Sequence, residues 1–530
     1  MSEEVQDYTA SGWKPRYNPW IIALTVTLAT FMEVLDTSIA NVALPHIAGG
    51  LSASQDESTW VLTSYLVSNA IVLPMSGWLT TVIGRKRFYM TCVALFTISS
   101  VLCGFAPSLG LLIFFRILQG AGGGGMGPSE QAILADTFPP EKRGLAFSVY
   151  GMAVVVAPAI GPTLGGWITD NYDWRWIFFI NVPVGLLSLF LTSTVVEDPP
   201  WLKRFKSAAM KIDYIGLSLI VLGIGALQVI LDKGQQDDWF GSNFITSFAV
   251  IAAIALVWLV IHEWRTPNPI LELKLLKNRN FAATALFNFV LGCVLFGTTV
   301  LIPQFLQTLM GYTAQKAGEV LSPAGFMLML LFPIAGILST KIDPRYMIAF
   351  GFGITAIALH HLTNLSLGVD FRTMIFWRMY QMSGLAFIFI PISILSYVGV
   401  PLEKNNQISG ISNFVRNLGG SVGISMLTTF LARQSQIHQT SLVAHATSAN
   451  PRLQSMLNGS AASNMAHAGS GPALAMQQAY AQVMGLIQQQ ATLLSYVNAF
   501  WIVALIVACL IPLPFFLKKP KPGAEVMSAH

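Results

Sequence analysis

Fourteen long apolar runs, joined by polar connections, make up most of this chain and leave it few ways to fold. They lie near 19–44, 58–80, 88–106, 109–132, 144–168, 175–196, 213–231, 243–262, 281–308, 318–340, 346–366, 373–399, 406–432 and 496–517. A helix needs about 20 apolar residues to cross the hydrocarbon of a bilayer. In lipid every backbone N–H and C=O must be satisfied within the protein, so runs of this length predict spanning helices. Composition agrees, with 54% hydrophobic and 10% charged residues, against roughly a quarter charged in soluble domains. The expected class is all-α integral membrane, with the lipid bilayer as the principal surrounding. Cys92, Cys103, Cys293 and Cys509 sit in apolar runs without CxxC or His/Cys ligand spacing, so no metal site or disulfide framework is expected. The first run lacks a small-residue cleavage site and reads as a retained helix rather than a signal peptide.

The net charge of +5 does not point to nucleic acid, because the basic residues gather on alternate connections. With a cytoplasmic N-terminus, one side holds 21 Lys and Arg, including Lys14, Arg85, Lys86, Arg87, Lys142, Lys203, Arg204, Lys274, Lys404 and Lys518. The other side holds 6: Arg175, Lys233, Lys316, Arg372, Arg433 and Arg452. The excess of positive charge predicts that both termini are cytoplasmic.

The chain also repeats itself. "IFFRILQGAG" (113–122) aligns with "IFWRMYQMSG" (375–384), pairing Arg116 with Arg378, Gln119 with Gln381 and Gly122 with Gly384, each 262 positions apart. Glu141 and Lys142 match Glu403 and Lys404 at the same offset. A register held through a helix and its following loop predicts two parallel six-helix halves, the arrangement in which transported species bind between halves at mid-membrane. The expected divisions are a tail (1–18), a first half (19–197), a linker with two inserted spans (198–280), a second half (281–517) and a tail (518–530). Within the second half, 433–495 is expected as a long external connection, polar and mostly neutral, with a short helix in 476–493. It is either a tolerated surface loop or a docking surface.

These stretches resemble the fourteen-helix drug:proton antiporters of the major facilitator superfamily, and among them the EmrB type of bacterial multidrug exporter. The likeness runs from end to end. It is carried by "VLDTSIANVALP" (34–45), "GWLTTVIGRKR" (77–87), "RILQGAGGG" (116–124), "APAIGPTLGG" (157–166), "NYDWRWIFFINVPVG" (171–185), "DYIGLSL" (213–219) and "LDKGQQDDWF" (231–240). The resemblance implies a proton-coupled antiporter, not an enzyme, exporting hydrophobic drugs or toxic compounds across the bacterial cytoplasmic (inner) membrane. It implies a proton gradient rather than a cofactor as energy source, and a periplasmic adaptor and outer-membrane channel as partners. An uptake permease, or export of one endogenous metabolite on the same scaffold, remains the alternative. In the helix-five antiporter motif the resemblance singles out Pro158, Gly161, Pro162, Gly165 and Gly166; in the gating loop, Gly77, Gly84, Arg85 and Lys86. Thr81 stands where that loop ordinarily carries an acid.

The residues supply their own reading beside this. An arginine at mid-membrane costs from about 3 to over 10 kcal/mol unless paired or hydrated. Arg116 must therefore face the bundle interior, toward Gln119 and the acids Glu33 and Asp36, which share a face of the first helix. Two roles are open for Arg116: glue between helices one and four, or a charge that tunes a neighbouring carboxylate as it gains and loses a proton. Asp36 is the first choice for that carboxylate, followed by Glu33 and then by Glu130 or a site elsewhere. The second half has no acid in 281–308 to play the part of Asp36, so Arg378 reads as structural. The interior candidates for touching substrate are Phe31, Trp60, Tyr65, Asn69, Tyr150, Asn288, Gln304, Tyr380, Asn413 and Arg416. Few carry charge, which suits a small, hydrophobic, neutral or weakly anionic substrate. The glycines of "GAGGGG" (120–125) spell G-x-G-x-x-G, but within a membrane helix they serve close packing rather than a dinucleotide.

Overall fold

Asn18 opens the first long helix: its side chain accepts the Trp20 N–H at 2.9 Å, and Pro19 occupies the first turn, where no intrahelical donor is needed. The computed structural model describes residues 15–200, 202, 213–267, 269–447, 449–468 and 471–517. Most of both expected tails, and Lys203, Arg204, Lys206 and Lys211 of the linker, lie outside the described residues. The helices are α1 (Pro19–Gly50), α2 (Trp60–Ile83), α3 (Arg85–Gly104), α4 (Leu109–Thr137), α5 (Arg143–Asn171) and α6 (Asn181–Val195). There follow α7 (Tyr214–Lys233), α8 (Asn243–Arg265), α9 (Arg279–Thr308), α10 (Ala314–Lys341), α11 (Pro344–His361) and α12 (Phe371–Ser396). The chain ends with α13 (Asn405–His445), α14 (Pro451–Ala468) and α15 (Pro472–Leu510).

Among the described residues, 12 helices are long and apolar enough to cross a membrane, or 13 counting the bent α5. The remaining expected run lies in α13, whose buried Asn405, Asn406, Asn413 and Arg416 lower its apolarity. Pro158 and Pro162 interrupt the backbone ladder of α5, whose segments Arg143–Pro158 and Ile160–Asn171 meet at 42°.

Helix contacts repeat with the sequence. In the first half α2 packs on α4, α3 on α4, α1 on α5 and α3 on α6. In the second, α10 packs on α12, α11 on α12, α9 on α13 and α11 on α15. Between halves α5 lies on α10 and α2 on α13, two contacts that exchange under the same correspondence. The result is an all-helical bundle of two parallel repeats. The inserted α7 and α8 pack together, and α7 lies over α2 and α13. Large apolar side chains such as Ile254, Val257 and Trp258 of α8 and Leu330 of α10 stay exposed, as a lipid-facing surface requires.

The stretch expected as a polar connection is mostly helical. α13 runs on to His445, α14 follows, and α15 begins at Pro472 before entering the bundle. No Gly or Pro interrupts residues 433–445, and Gln, Leu and Ala sustain a helix beyond the apolar run. Here α14 and the start of α15 build a small core of their own from Leu457, Ala461, Ala475, Ala479 and Val483.

Candidate functional site

The glycine run of α4 removes side chains where two neighbours press close. A Cβ on Gly120 would lie 2.3 Å from the Tyr65 carbonyl, and one on Gly124 would lie 2.6 Å from that of Asn69, both on α2. On the other face, Gly122 would meet the Cys92 carbonyl of α3 at 2.7 Å. Glycine thus brings α4 against α2 and α3, and sets Arg116 inside the first half.

Arg116 is 0% exposed and Asp36 2%. The Arg116 guanidinium donates to Asp36 Oδ2 at 2.6 Å, to Gln119 Oε1 at 2.8 Å and to the Val61 carbonyl at 3.1 Å. It also lies 4.3 Å from the Tyr65 ring centroid. The other Asp36 oxygen accepts from Gln119 Nε2 at 3.0 Å and Asn181 Nδ2 at 2.6 Å. Asn181 donates further to Ser100, whose hydroxyl donates to the Phe178 carbonyl at 2.8 Å. Charge and hydrogen bonding are therefore matched around Asp36, which ties α1, α4 and α6 together. Asn181 and Ser100 escaped the sequence reading, although an amide inside "IFFINVPVG" was the available signal.

Glu33, one turn before Asp36, is held differently. It is half-buried and accepts from Tyr65 Oη at 3.2 Å and Asn69 Nδ2 at 3.0 Å, both neutral donors. Glu130, fully buried on α4, accepts from Thr27 Oγ1 at 2.5 Å. Three carboxylates of the first half thus have three environments: ion-paired, neutrally hydrogen-bonded and half-open, and buried beside a hydroxyl.

Of the antiporter-motif residues, Pro158, Gly161 and Gly165 lie on the α1–α5 seam, whereas Pro162 lies against Gly318 of α10. Ser38 Oγ donates to the Pro158 carbonyl at 3.3 Å, and a Cβ on Gly161 would fall 2.2 Å from that same Oγ. Gly165 lies against Ile39, whereas Gly166 faces open space. In the gating loop, Gly84 has φ 92°, a left-handed value that favours glycine. Next to it, Arg85 is buried and paired with Asp136 of α4, and Lys86 donates to the Ser193 carbonyl at 2.7 Å. Asp136 also accepts from Asn405 Nδ2 of α13 at 2.6 Å. Gly77 packs on Gln407, and Gly144 of α5 against Gly336 of α10. These contacts join the two halves at the end of the bundle that carries Arg85.

About two turns into the bundle from that end, Tyr150 of α5 donates to Asn413 Oδ1 at 2.7 Å, and Arg416 donates to both. Asn413 Nδ2 donates to Gln131 of α4 at 2.7 Å, so this network spans both halves. Tyr65 and Asn69 sit at Glu33, Phe31 is half-buried in the apolar packing of α1, and Asn288 is buried on α9. Three expected cavity residues point elsewhere. Trp60 packs beside Phe244 and under Lys233 of the inserted pair. Tyr380 is exposed against His361, and Gln304 is exposed on α9. At 100° per residue, Tyr380 lies about 200° around α12 from the buried Arg378.

A lipid-exposed bundle of two parallel six-helix repeats, with buried ion pairs between its helices, is the architecture of a secondary transporter. The chain belongs to the Major Facilitator Superfamily, whose sequence pattern matches residues 26–424. It is 37% identical over 501 residues to the multidrug export protein EmrB of Escherichia coli (strain K12), covering 94% of this chain and 95% of that one. To the EmrB protein of Haemophilus influenzae it is 38% identical over 501 residues, covering 94% and 96%. Among solved structures, the proton:xylose symporter XylE superposes with a TM-score of 0.57 at 16% identity, covering 93% of this chain and 96% of XylE, which bears on the fold alone.

Proposed function

We propose that this chain exports small hydrophobic compounds across the bacterial cytoplasmic membrane by alternating access, each cycle driven by protons moving inward. The observation that carries the reading is the contrast between Glu33 and Asp36 on one face of α1. Asp36 is committed to a buried guanidinium and two amides, so protonating it means giving up an ion pair. Glu33, half-open and bonded only to Tyr65 and Asn69, takes up a proton without that loss. The Asp36–Arg116 pair then serves as the fixed element beside which Glu33 loads and unloads. The multidrug export relatives support the direction of transport, and each proton contributes about 2.3 kcal/mol per 100 mV of membrane potential.

The excess of basic residues on one side supports cytoplasmic termini and fourteen spans, with 19–197 and 281–517 as the moving halves. On this topology the outer end of α13, α14 and the start of α15 project from the opposite side. We assign that projection as the docking surface for a periplasmic adaptor that leads to an outer-membrane channel. Exchanging its exposed Met456, Met465, Tyr480 and Leu486 for Ser is expected to abolish adaptor co-purification; undiminished capture removes the assignment. The function itself is tested in everted membrane vesicles. Adding a hydrophobic drug to energised vesicles should release protons and accumulate drug, and drug loss from the lumen instead would indicate uptake.

A further inference from the structure

Four arginines are buried among the described residues, and three find their partners within one half. Arg85 pairs with Asp136, Arg116 with Asp36, and Arg378 bonds to Thr298, Thr299 and Gln381. Arg416 reaches across instead. It stands on α13 of the second half and donates to Tyr150 Oη of α5 at 2.8 Å, as well as to Asn413 one turn before it. It is 4% exposed, its Nε has no partner, and among the described residues no carboxylate pairs with it. A cation so placed is costly unless an opposite charge lies near.

Glu33 supplies that charge, and the bare face of α4 brings the two groups into reach. A Cβ on Gly123 would lie 3.3 Å from Glu33 Cγ and 3.0 Å from Asn69 Nδ2. One on Gly127, a single turn further, would lie 3.4 Å from Tyr150 Oη and 3.8 Å from Asn413 Oδ1. Positions four apart on a helix stand about 5–6 Å from each other, and neither of these carries a side chain. The Glu33 carboxylate and the Tyr150–Asn413–Arg416 knot are thus one turn of glycine-lined helix apart, within range for their charges to interact. Tyr65 and Asn69 both donate to Glu33 Oε1, which leaves Oε2 without a donor among the described residues. The other titratable groups around Glu33 are Asp36 on its own helix, Tyr65 of α2, Cys92 of α3, Glu130 of α4 and Tyr150 of α5. None of them is a cation, and the Arg116 guanidinium is already taken by Asp36.

We propose that Arg416 is a positioning residue for the Glu33 proton site, a countercharge supplied by the opposite half. While Glu33 is ionised, the attraction holds α13 toward α4. When Glu33 takes a proton from water the attraction ends, and the Tyr150–Asn413–Arg416 knot is free to part as the halves move. The charge state of the first half is thereby felt by the second without any contact through substrate. The inference rests on the reading of Glu33 as the proton site, and it names the group in the second half that answers to it.

The test is an infrared titration of the full chain in lipid nanodiscs, without gradient or drug, following the C=O stretch of protonated carboxyls. The Glu33 band is the one missing from Glu33→Gln. Removing a nearby cation favours the neutral acid. Arg416→Gln is therefore expected to move the midpoint of that band to higher pH by about one pH unit or more, a tenfold gain in proton affinity. Arg416→Lys, which keeps the charge, should leave the midpoint close to that of the wild type. Asn413→Asp guards against a fold lost through Arg416→Gln. It retains Arg416 but gives it a carboxylate of its own, and should move the midpoint the same way, with melting temperature measured for all three variants. A midpoint unmoved in the folded Arg416→Gln or Asn413→Asp variant overturns the proposal, as does an equal shift in Arg416→Lys and Arg416→Gln. A wild type with no band that Glu33→Gln removes overturns both the proposal and the proton-site reading. If the midpoint shifts as expected but Glu33→Gln still releases protons when drug is added to everted vesicles, the Arg416–Glu33 coupling stands and the proton-site reading alone is removed.

Discussion

Asp36 and Thr298 hold the same place in the two halves, each receiving hydrogen bonds from an arginine 80 residues later and a glutamine 83 residues later. One is a carboxylate and the other a hydroxyl. The two halves therefore share a scaffold and divide the chemistry. The first half cancels its buried arginine with an acid of its own, and the second surrounds its arginine with two hydroxyls and an amide oxygen.

Removing one member of a buried pair leaves the other charge stranded, at about 3–5 kcal/mol. Asp36→Asn keeps the shape and the amide contacts but strands Arg116, so thermal unfolding of the purified protein should show a large fall in melting temperature. Adding Arg116→Gln should recover most of it, because neither charge then remains. If the single variant melts like the wild type, Asp36 and Arg116 are not a desolvated ion pair.

Glu33→Gln is expected to act in the opposite way. The amide oxygen still accepts from Tyr65 and Asn69, so stability should change by no more than about 1 kcal/mol. The titratable proton is gone, and drug-induced proton release in everted vesicles should disappear. Retained proton release in this variant would return the proton site to Asp36 or Glu130.

The glycines of the α5 motif are not equivalent. Alanine at Gly161 would place Cβ 2.2 Å from Ser38 Oγ and force α1 and α5 apart, whereas alanine at Gly166 meets nothing within 4 Å. Gly161→Ala is expected to destabilise by about 1–3 kcal/mol, as overpacking does, and to depress transport. Gly166→Ala should be silent in both. Drug-efflux rates with melting curves for the two variants check this, and equal effects would refute the seam.

How much of this was legible in the sequence depends on range. The apolar runs, the repeat and the Arg116–Gln119 pair are local or periodic, and each was readable. Asp36 as the mate of Arg116 followed because a buried cation demands an acid and α1 offered two. What could not be read was the third dimension: that Asn181 closes the ring around Asp36, or that Thr298 substitutes for it. Helix phase explains the errors among the cavity residues, since Tyr380 and Arg378 are close in sequence but on opposite sides of α12. In 433–495 the helix at 476–493 was readable, but the extension of α13 to His445 and the whole of α14 were not, because weak apolarity hides a helix whose face is covered only by its neighbours.

The contact between Asp136 and Asn405 supplies the last prediction. Asp136 takes hydrogen bonds from Arg85 of its own half and from Asn405 of the other, so it links the halves where Gly77 and Gly144 also bring them together. Asn405→Asp would set a second carboxylate against the first, and like charges in a desolvated contact repel strongly. The expected outcome is a population shifted toward separation of α4 and α13 at this end. Ser412, buried on the same helix, reports on it: in a variant whose native cysteines are replaced, Ser412→Cys should alkylate several-fold faster with Asn405→Asp than without. Asn405→Ala, which only removes the hydrogen bond, should give a smaller increase. Equal alkylation rates in all three backgrounds would mean that the halves are held together here by packing rather than by Asp136.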